Sequence, residues 1–152
     1  MLHIYVDADA CPVKEEVYRV ARRYGLDVTL VANAPQWIPD DERFALVIVR
    51  DGMDVADDWI AEHAGDGDIV ITADIPLAAR CLRNGARVIG TTGRPFTEDN
   101  VGGALATRDI LAELRGAGEL TSGPRPFQKQ DRSRFLQALD TAIQAIRQRL
   151  SS

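Results

Sequence analysis

Two aspartates, Asp7 and Asp9, stand two residues apart in the stretch YVDADACPVK, directly after the apolar run of residues 2–6. Acids at such a strand end either cap a following helix or hold a cation. The chain repeats the arrangement in VITADIP, where Asp74 follows the apolar run 69–73. It concentrates acids again in GMDVADD, where Asp54, Asp57 and Asp58 stand at the start of a helical pattern. Asp54 and Asp58 share a helix face at i, i+4, and Asp57 joins Asp54 at i, i+3. Clustered carboxylates repel, and some must take up protons unless a cation sits among them. Donors that are all oxygen suit Mg2+ or Mn2+ rather than zinc. The competing reading is local. Asp9 and Asp74 each precede a helix with proline near its start (Pro12, Pro76), which is good N-cap chemistry. Acids in a first helical turn are also favoured by the helix dipole. Asp68, at the opposite end of its strand, and Asp51, before a glycine, read as structural.

Basic residues supply the second half of a phosphate-handling site. Lys14 opens the first helical pattern, and Arg125, Lys129, Arg132 and Arg134 form a late basic strip. Six of the 18 Lys/Arg but only two of the 23 Asp/Glu lie after residue 121, so an acidic body carries a basic final segment. Such charges hold nucleic-acid phosphates without choosing sequence. The alternative is a solvated connection that Phe127 anchors. Thr91, Thr92 and Arg94, after a further apolar run, complete the polar set. Cys11 lacks a histidine partner and reads as a packed residue at a helix start. His3 and His63 read as structural or surface groups.

The elements that must position these residues alternate regularly. Apolar runs at 2–6, 28–32, 45–49, 69–73 and 87–90 read as strands. Helical patterns follow Pro12, with Gly25 as the stop, and cover residues 75–84, 101–116 and 131–150; a short one lies in GMDVADDWIAEHAGDG. The stretch NAPQWIPDDERF reads as a loop with room for one helical turn, and residues 116–130 as a Gly/Pro-rich basic connection. Alternation of this kind predicts an α/β fold of three layers, α/β/α, around a mainly parallel sheet of about five strands in one domain, 1–152. Ligands of such sheets bind at the carboxyl ends of the strands, where the strand order reverses. Asp7, Asp74 and the 54–58 acids fall at that edge, and Asp7 meets Asp74 if the first and fourth strands are neighbours.

Composition excludes several classes. Hydrophobic residues make up 45% and charged residues 27% of the 152, as expected of a globular domain rather than a disordered chain. No apolar stretch approaches the roughly 20 residues of a membrane span. No basic leader precedes an apolar run, and the two cysteines lack a CxxC spacing, so free thiols in a cytoplasmic protein are expected.

The pieces YVDADACPVK, VITADIPLAA and GPRPFQKQDRSRF resemble the bacterial YaiI/YqxD family across essentially the whole chain. That family is grouped with PIN-like domains, so the resemblance implies a PIN-like fold. Over roughly residues 1–90, GMDVADDWI and IVITADIPLA are also similar to segments of PIN-like 5′ nucleases. By that similarity Asp7 matches the first-strand acid. Asp54 stands where those nucleases carry glutamate, Asp57 and Asp58 match the paired acids, and Asp74 matches the acid after the fourth strand. Pro76 occupies the place of a further acid, with Asp9 as a substitute ligand. The implied function is a metal-dependent nuclease acting on RNA or DNA with one or two Mg2+ or Mn2+ ions, in a monomer or a homo-oligomer. The alternatives are a nucleic-acid-binding module without catalysis, and a phosphohydrolase using Asp7 and Asp9 as a D-x-D pair.

Overall fold

The computed structural model describes residues 2–50, 52, 55–98, 101 and 127–150. Asp54 and Arg125, and the helix expected over 101–116 apart from Val101, lie outside them. Within the described residues the strands are β1 (His3–Asp7), β2 (Asp27–Ala32), β3 (Phe44–Ile48), β4 (Ile69–Ile71), β5 (Arg87–Ile89) and β6 (Pro95–Phe96). The helices are α1 (Lys14–Tyr24), α2 (Val55–His63), α3 (Ile75–Arg83) and α4 (Lys129–Leu150). A single 3-10 turn spans Ala8–Ala10.

The strands form one sheet in the order β3-β2-β1-β4-β5-β6. The first five run parallel, and β6 adds an antiparallel edge to β5. Five parallel strands match the sequence expectation; the short sixth is set by the turn after β5. The chain builds outward from β1 through β2 to β3, then returns to place β4 on the other side of β1. The strand order therefore reverses between β1 and β4.

Side-chain alternation along the strands divides the core into two layers. Ile4, Val6, Val28, Leu30, Ile69, Ile71 and Ile89 pack with α1 and α4. Val31, Val70 and Val88 pack with α2 and α3 through Ile60, Leu77, Ala78 and Cys81. Helices on both faces explain why β2 and β4 are almost wholly buried. Helix α4 supplies Phe135, Leu139, Ile143 and Ile146, all essentially without exposure. Each such side chain stabilises the fold by about 1.5–3 kcal/mol relative to an exposed one.

Local signals fix the ends. Gly25 takes the left-handed conformation (φ 68°, ψ 41°) that stops α1, and the next N–H, of Leu26, returns to the Ala21 carbonyl at 2.9 Å. The first turn of α4 begins earlier than periodicity predicts, because the buried Asp131 carboxylate accepts the Gln128 N–H at 2.9 Å. Strand β4 ends at Ile71, two residues short of expectation, which frees Thr72 for another use. The connection between β2 and β3 carries no helical turn.

Candidate functional site

Register brings the strand-end acids together. Val6 pairs with Ile71, so Asp7 and Thr72 come next, side by side, at the carboxyl ends of β1 and β4. The Thr72 hydroxyl donates to Asp7 Oδ2 at 2.9 Å, and its oxygen accepts the Asp74 N–H at 3.0 Å. Asp74 in turn is the N-cap of α3: its Oδ1 accepts the Leu77 N–H at 2.9 Å, with Pro76 in the first turn. The cap reading of Asp74 holds and uses one oxygen; among the described residues Oδ2 accepts no hydrogen bond. Burial pushes the Asp7 carboxyl above the ordinary carboxylate range. The Thr72 hydrogen bond opposes this, and the neighbouring charges of Asp74 and Asp9 add to it.

Asp9 does not cap the helix that follows it: α1 begins after Val13 with no side-chain cap. Its carboxylate instead reaches across to the segment after β2. Both oxygens accept the Asn33 N–H, at 3.2 and 3.1 Å, and Oδ1 also receives Gln36 Nε2 at 3.4 Å. Lys14 belongs to the same cluster through Gln36 Oε1, at 2.6 Å. A D-x-D phosphohydrolase needs its second acid free for proton transfer, and here that acid is engaged on backbone.

The helix acids point elsewhere. Asp58 pairs with Arg80 of α3 at 2.7 Å, and the charge of Asp57 is felt by Arg80 and Cys81. Asp58 therefore faces α3 rather than Asp7. Among the described residues no group of three or more His, Cys, Asp and Glu is arranged to hold a metal ion.

The basic residues also separate. Arg132 donates from Nη1 to the Pro12 carbonyl at 2.8 Å and to the buried Glu16 at 2.7 Å, and lies over the Phe127 ring. This clamp joins the starts of α1 and α4 and commits Arg132 to structure. Arg94 and Arg134 do converge, with Thr92, Gly93 and Gln137, on an open cleft of about 410 Å³. The turn that carries Arg94 closes through Gly90 N–H to the Arg94 carbonyl at 2.8 Å. Gly93 (φ +88°) lies so close to α4 that a Cβ would sit 2.6 Å from the Arg134 backbone. Only glycine fits that approach. Lys129 is exposed at the start of α4, beside Gln128, Gln130 and Ser133.

The remaining nucleophile candidates are quiet. Burial pushes both the Cys11 and Cys81 thiols up to about 11, so neither carries thiolate at neutral pH. His3 meets the Thr29 hydroxyl at 2.7 Å, and His63 stacks on Trp59 with ring centroids 3.7 Å apart. Thr72 is the site residue that sequence reasoning passed over. Its signal was a hydroxyl two residues before a strand-end acid.

Comparison with known proteins agrees over nearly the full length. Residues 5–145 match the family described as uncharacterised BCR, YaiI/YqxD. A UPF0178 protein of Rhodospirillum rubrum is 57% identical over 147 residues, covering 96% of this chain and 98% of its own. A UPF0178 protein of Nitrobacter winogradskyi is 56% identical over 146 residues (96% and 93%). One from Azorhizobium caulinodans is 57% identical over 140 residues (92% and 88%). No solved structure matches. The chain belongs to the YaiI/YqxD family.

Proposed function

We propose that this protein is a metal-dependent nuclease of PIN-like type that hydrolyses phosphodiesters of RNA or DNA at the Asp7–Asp74 edge. The observation that carries the reading is the pairing of β1 with β4, which sets Asp7 beside Thr72 and Asp74 at the point where strand order reverses. The donor chemistry fits Mg2+ or Mn2+. Asp7 Oδ1 and Asp74 Oδ2 accept no hydrogen bond from described residues, and both are carboxylate oxygens. Mg2+ is commonly held by one or two carboxylates and substrate phosphates, keeping several waters. When bound, the ion supplies a water of lowered pKa and neutralises charge on the phosphate.

The chain's own residues do the rest. Asp7 and Asp74 would hold the ion, with Asp9, Asp54, Asp57 and Asp58 as further acids of the reading. Of these, Asp58 reaches it only if it turns away from Arg80 of α3. Thr72 positions the Asp7 carboxylate. Arg94 and Arg134 hold a neighbouring phosphate, and Lys14 and Lys129 add positive charge; Arg125, outside the described residues, is a phosphate-binding candidate by sequence, and Arg132 enters only through its clamp. No described helix is long and apolar enough to cross a membrane, and two free thiols fit a cytoplasmic setting.

The engagement of Asp58 by Arg80 favours a second reading, a nucleic-acid-binding module without turnover. Cleavage of single- and double-stranded oligonucleotides with Mn2+ tests the choice. Turnover abolished in Asp7→Asn and Asp74→Asn supports the nuclease. Binding that both variants retain, with no turnover in any form, establishes the binding module instead.

A further inference from the structure

Two large apolar side chains stand exposed among the described residues: Trp37 (75%), in the segment that follows β2, and Ile48 (51%), at the end of β3. Ile48 pairs with Ala32, the last residue of β2, and the segment bearing Trp37 leaves from that same strand end. This segment is tethered on both sides of the indole. Upstream, Asp9 takes the Asn33 N–H and the Gln36 amide, and Lys14 holds Gln36. Downstream, Ile38 packs on the core and Pro39 is buried. The indole is thus exposed directly after Gln36, which is joined at the carboxyl edge of the sheet to the acid whose charge Asp7 feels.

The far end of that edge carries the opposite chemistry. Thr72 N–H bonds to the Ile89 carbonyl, so Gly90 and the Arg94 turn follow β5 in line with Thr72 and Asp7. From β2 to β5 is three strand spacings, about 14 Å. One edge therefore presents, in order, an aromatic face, a carboxylate pair and a cleft with two guanidinium groups. We infer that Trp37 is a stacking platform for a base of single-stranded nucleic acid, whose backbone crosses Asp7 and Asp74 and sets a phosphate in the Arg94–Arg134 cleft. The inference rests on the nuclease reading for what happens at the carboxylates, and adds strand preference to it.

Single strands fit because their base faces are free; in a duplex those faces are covered by neighbouring pairs. Stacking on an aromatic ring is tolerant of sequence, since every base has a π face. A protein partner fits less well. One indole and one isoleucine, in a segment that also carries Asn33, Gln36, Asp40 and Asp41, supply far less than the roughly 800 Å² per side of a stable interface.

The test uses Trp59→Phe protein, which leaves Trp37 as its one tryptophan, held in EDTA so that nothing is cut. It is titrated with octamers of dT and rU, with a blunt hairpin duplex and with inorganic phosphate. The expected result is quenching of Trp37 by both octamers and little by duplex or phosphate. In the otherwise unchanged chain, anisotropy of a labelled octamer should show about tenfold or more weaker binding for Trp37→Ala and near-normal binding for Trp37→Phe. Equal quenching by duplex, no quenching by octamers, or unchanged affinity in Trp37→Ala overturns the inference. So does a concentration-dependent dimer that shields Trp37 without any oligonucleotide. Normal octamer quenching in a protein that never cleaves removes the nuclease reading and leaves this one standing. Cleavage without Trp37 dependence does the reverse.

Discussion

Asp7 and Asp68 are the same residue type at opposite ends of the same strand pair, and their surroundings make them different reagents. Asp68 flanks the amino end, where its two oxygens accept the His3 N–H at 3.2 Å and the Gly65 N–H at 3.0 Å. Backbone donors satisfy it, as expected where strands begin and their first N–H groups face outward. Asp7 flanks the carboxyl end, where no backbone N–H of a described residue bonds to it. It receives one hydroxyl from Thr72, is half-buried, and feels the charges of Asp74 and Asp9. The polarity of a parallel sheet thus satisfies an acid at one end and leaves one with a single hydroxyl donor at the other.

The largest expected effect separates the two acids by activity. Asp7→Asn should lower metal-dependent cleavage about a hundredfold or more, since positioning of the ion is worth several kcal/mol. Asp68→Asn should leave the rate of the folded protein within about twofold. Equal losses in a cleavage assay would erase the contrast.

Thr72→Val comes next, with an expected fall of about tenfold from misplacement of Asp7. It also removes the hydrogen bond that holds the Asp7 carboxyl down, so the acid limb of the pH–rate profile should move to higher pH. An unchanged limb would remove Thr72 from the site.

Stability should show the opposite order. Asp68→Asn weakens two bonds to backbone N–H groups and should cost about 1–2 kcal/mol in urea unfolding. Asp7→Asn should raise the melting temperature of metal-free protein, because it deletes a charge that the fold disfavours. The sign with pH follows. Asp7 titrates above its ordinary 3.8, so the folded chain holds the proton more tightly than the unfolded one. Its favourable contribution is complete below that ordinary value and is lost as pH rises through the raised one. That slope should vanish in Asp7→Asn, and Mg2+ should stabilise the unchanged protein but not the variant.

The smallest effect concerns α2. Asp58→Asn breaks an exposed pair with Arg80 and should cost about 0.5 kcal/mol or less. A rate loss comparable to that of Asp7→Asn would instead show that Asp58 leaves Arg80 to join the carboxylates.

The parts of the molecule legible in the sequence were those with a local period. The five parallel strands, the helices after Pro12 and Asp74 and the final helix follow from apolar spacing, proline and glycine. Strand ends are read the same way, so Asp7 and Asp74 could be placed on one edge once β1 and β4 were supposed neighbours. What stayed hidden depends on partners far apart in the chain. Thr72 meets Asp7 across 65 residues, Arg132 meets Glu16 across 116, and Asp9 meets Asn33 across 24. No periodicity records such pairings. Charge pattern alone could not tell that Arg132 is a clamp while Arg94 and Arg134 share a cleft, nor that Asp58 turns toward Arg80 of α3. Asp54, Arg125 and the 101–116 helix fall outside the described residues and stay as sequence expectations.

The cap that Asp74 provides for α3 has a consequence for recognition. A carboxylate on a free side chain must surrender rotamer freedom when it takes a ligand, at about 0.5–1.5 kcal/mol for each side chain immobilised. Asp74 has already surrendered it to the Leu77 N–H during folding. The same hydrogen bond that begins a helix therefore leaves its second oxygen preorganised, and any cation arriving there finds the entropy of that residue spent.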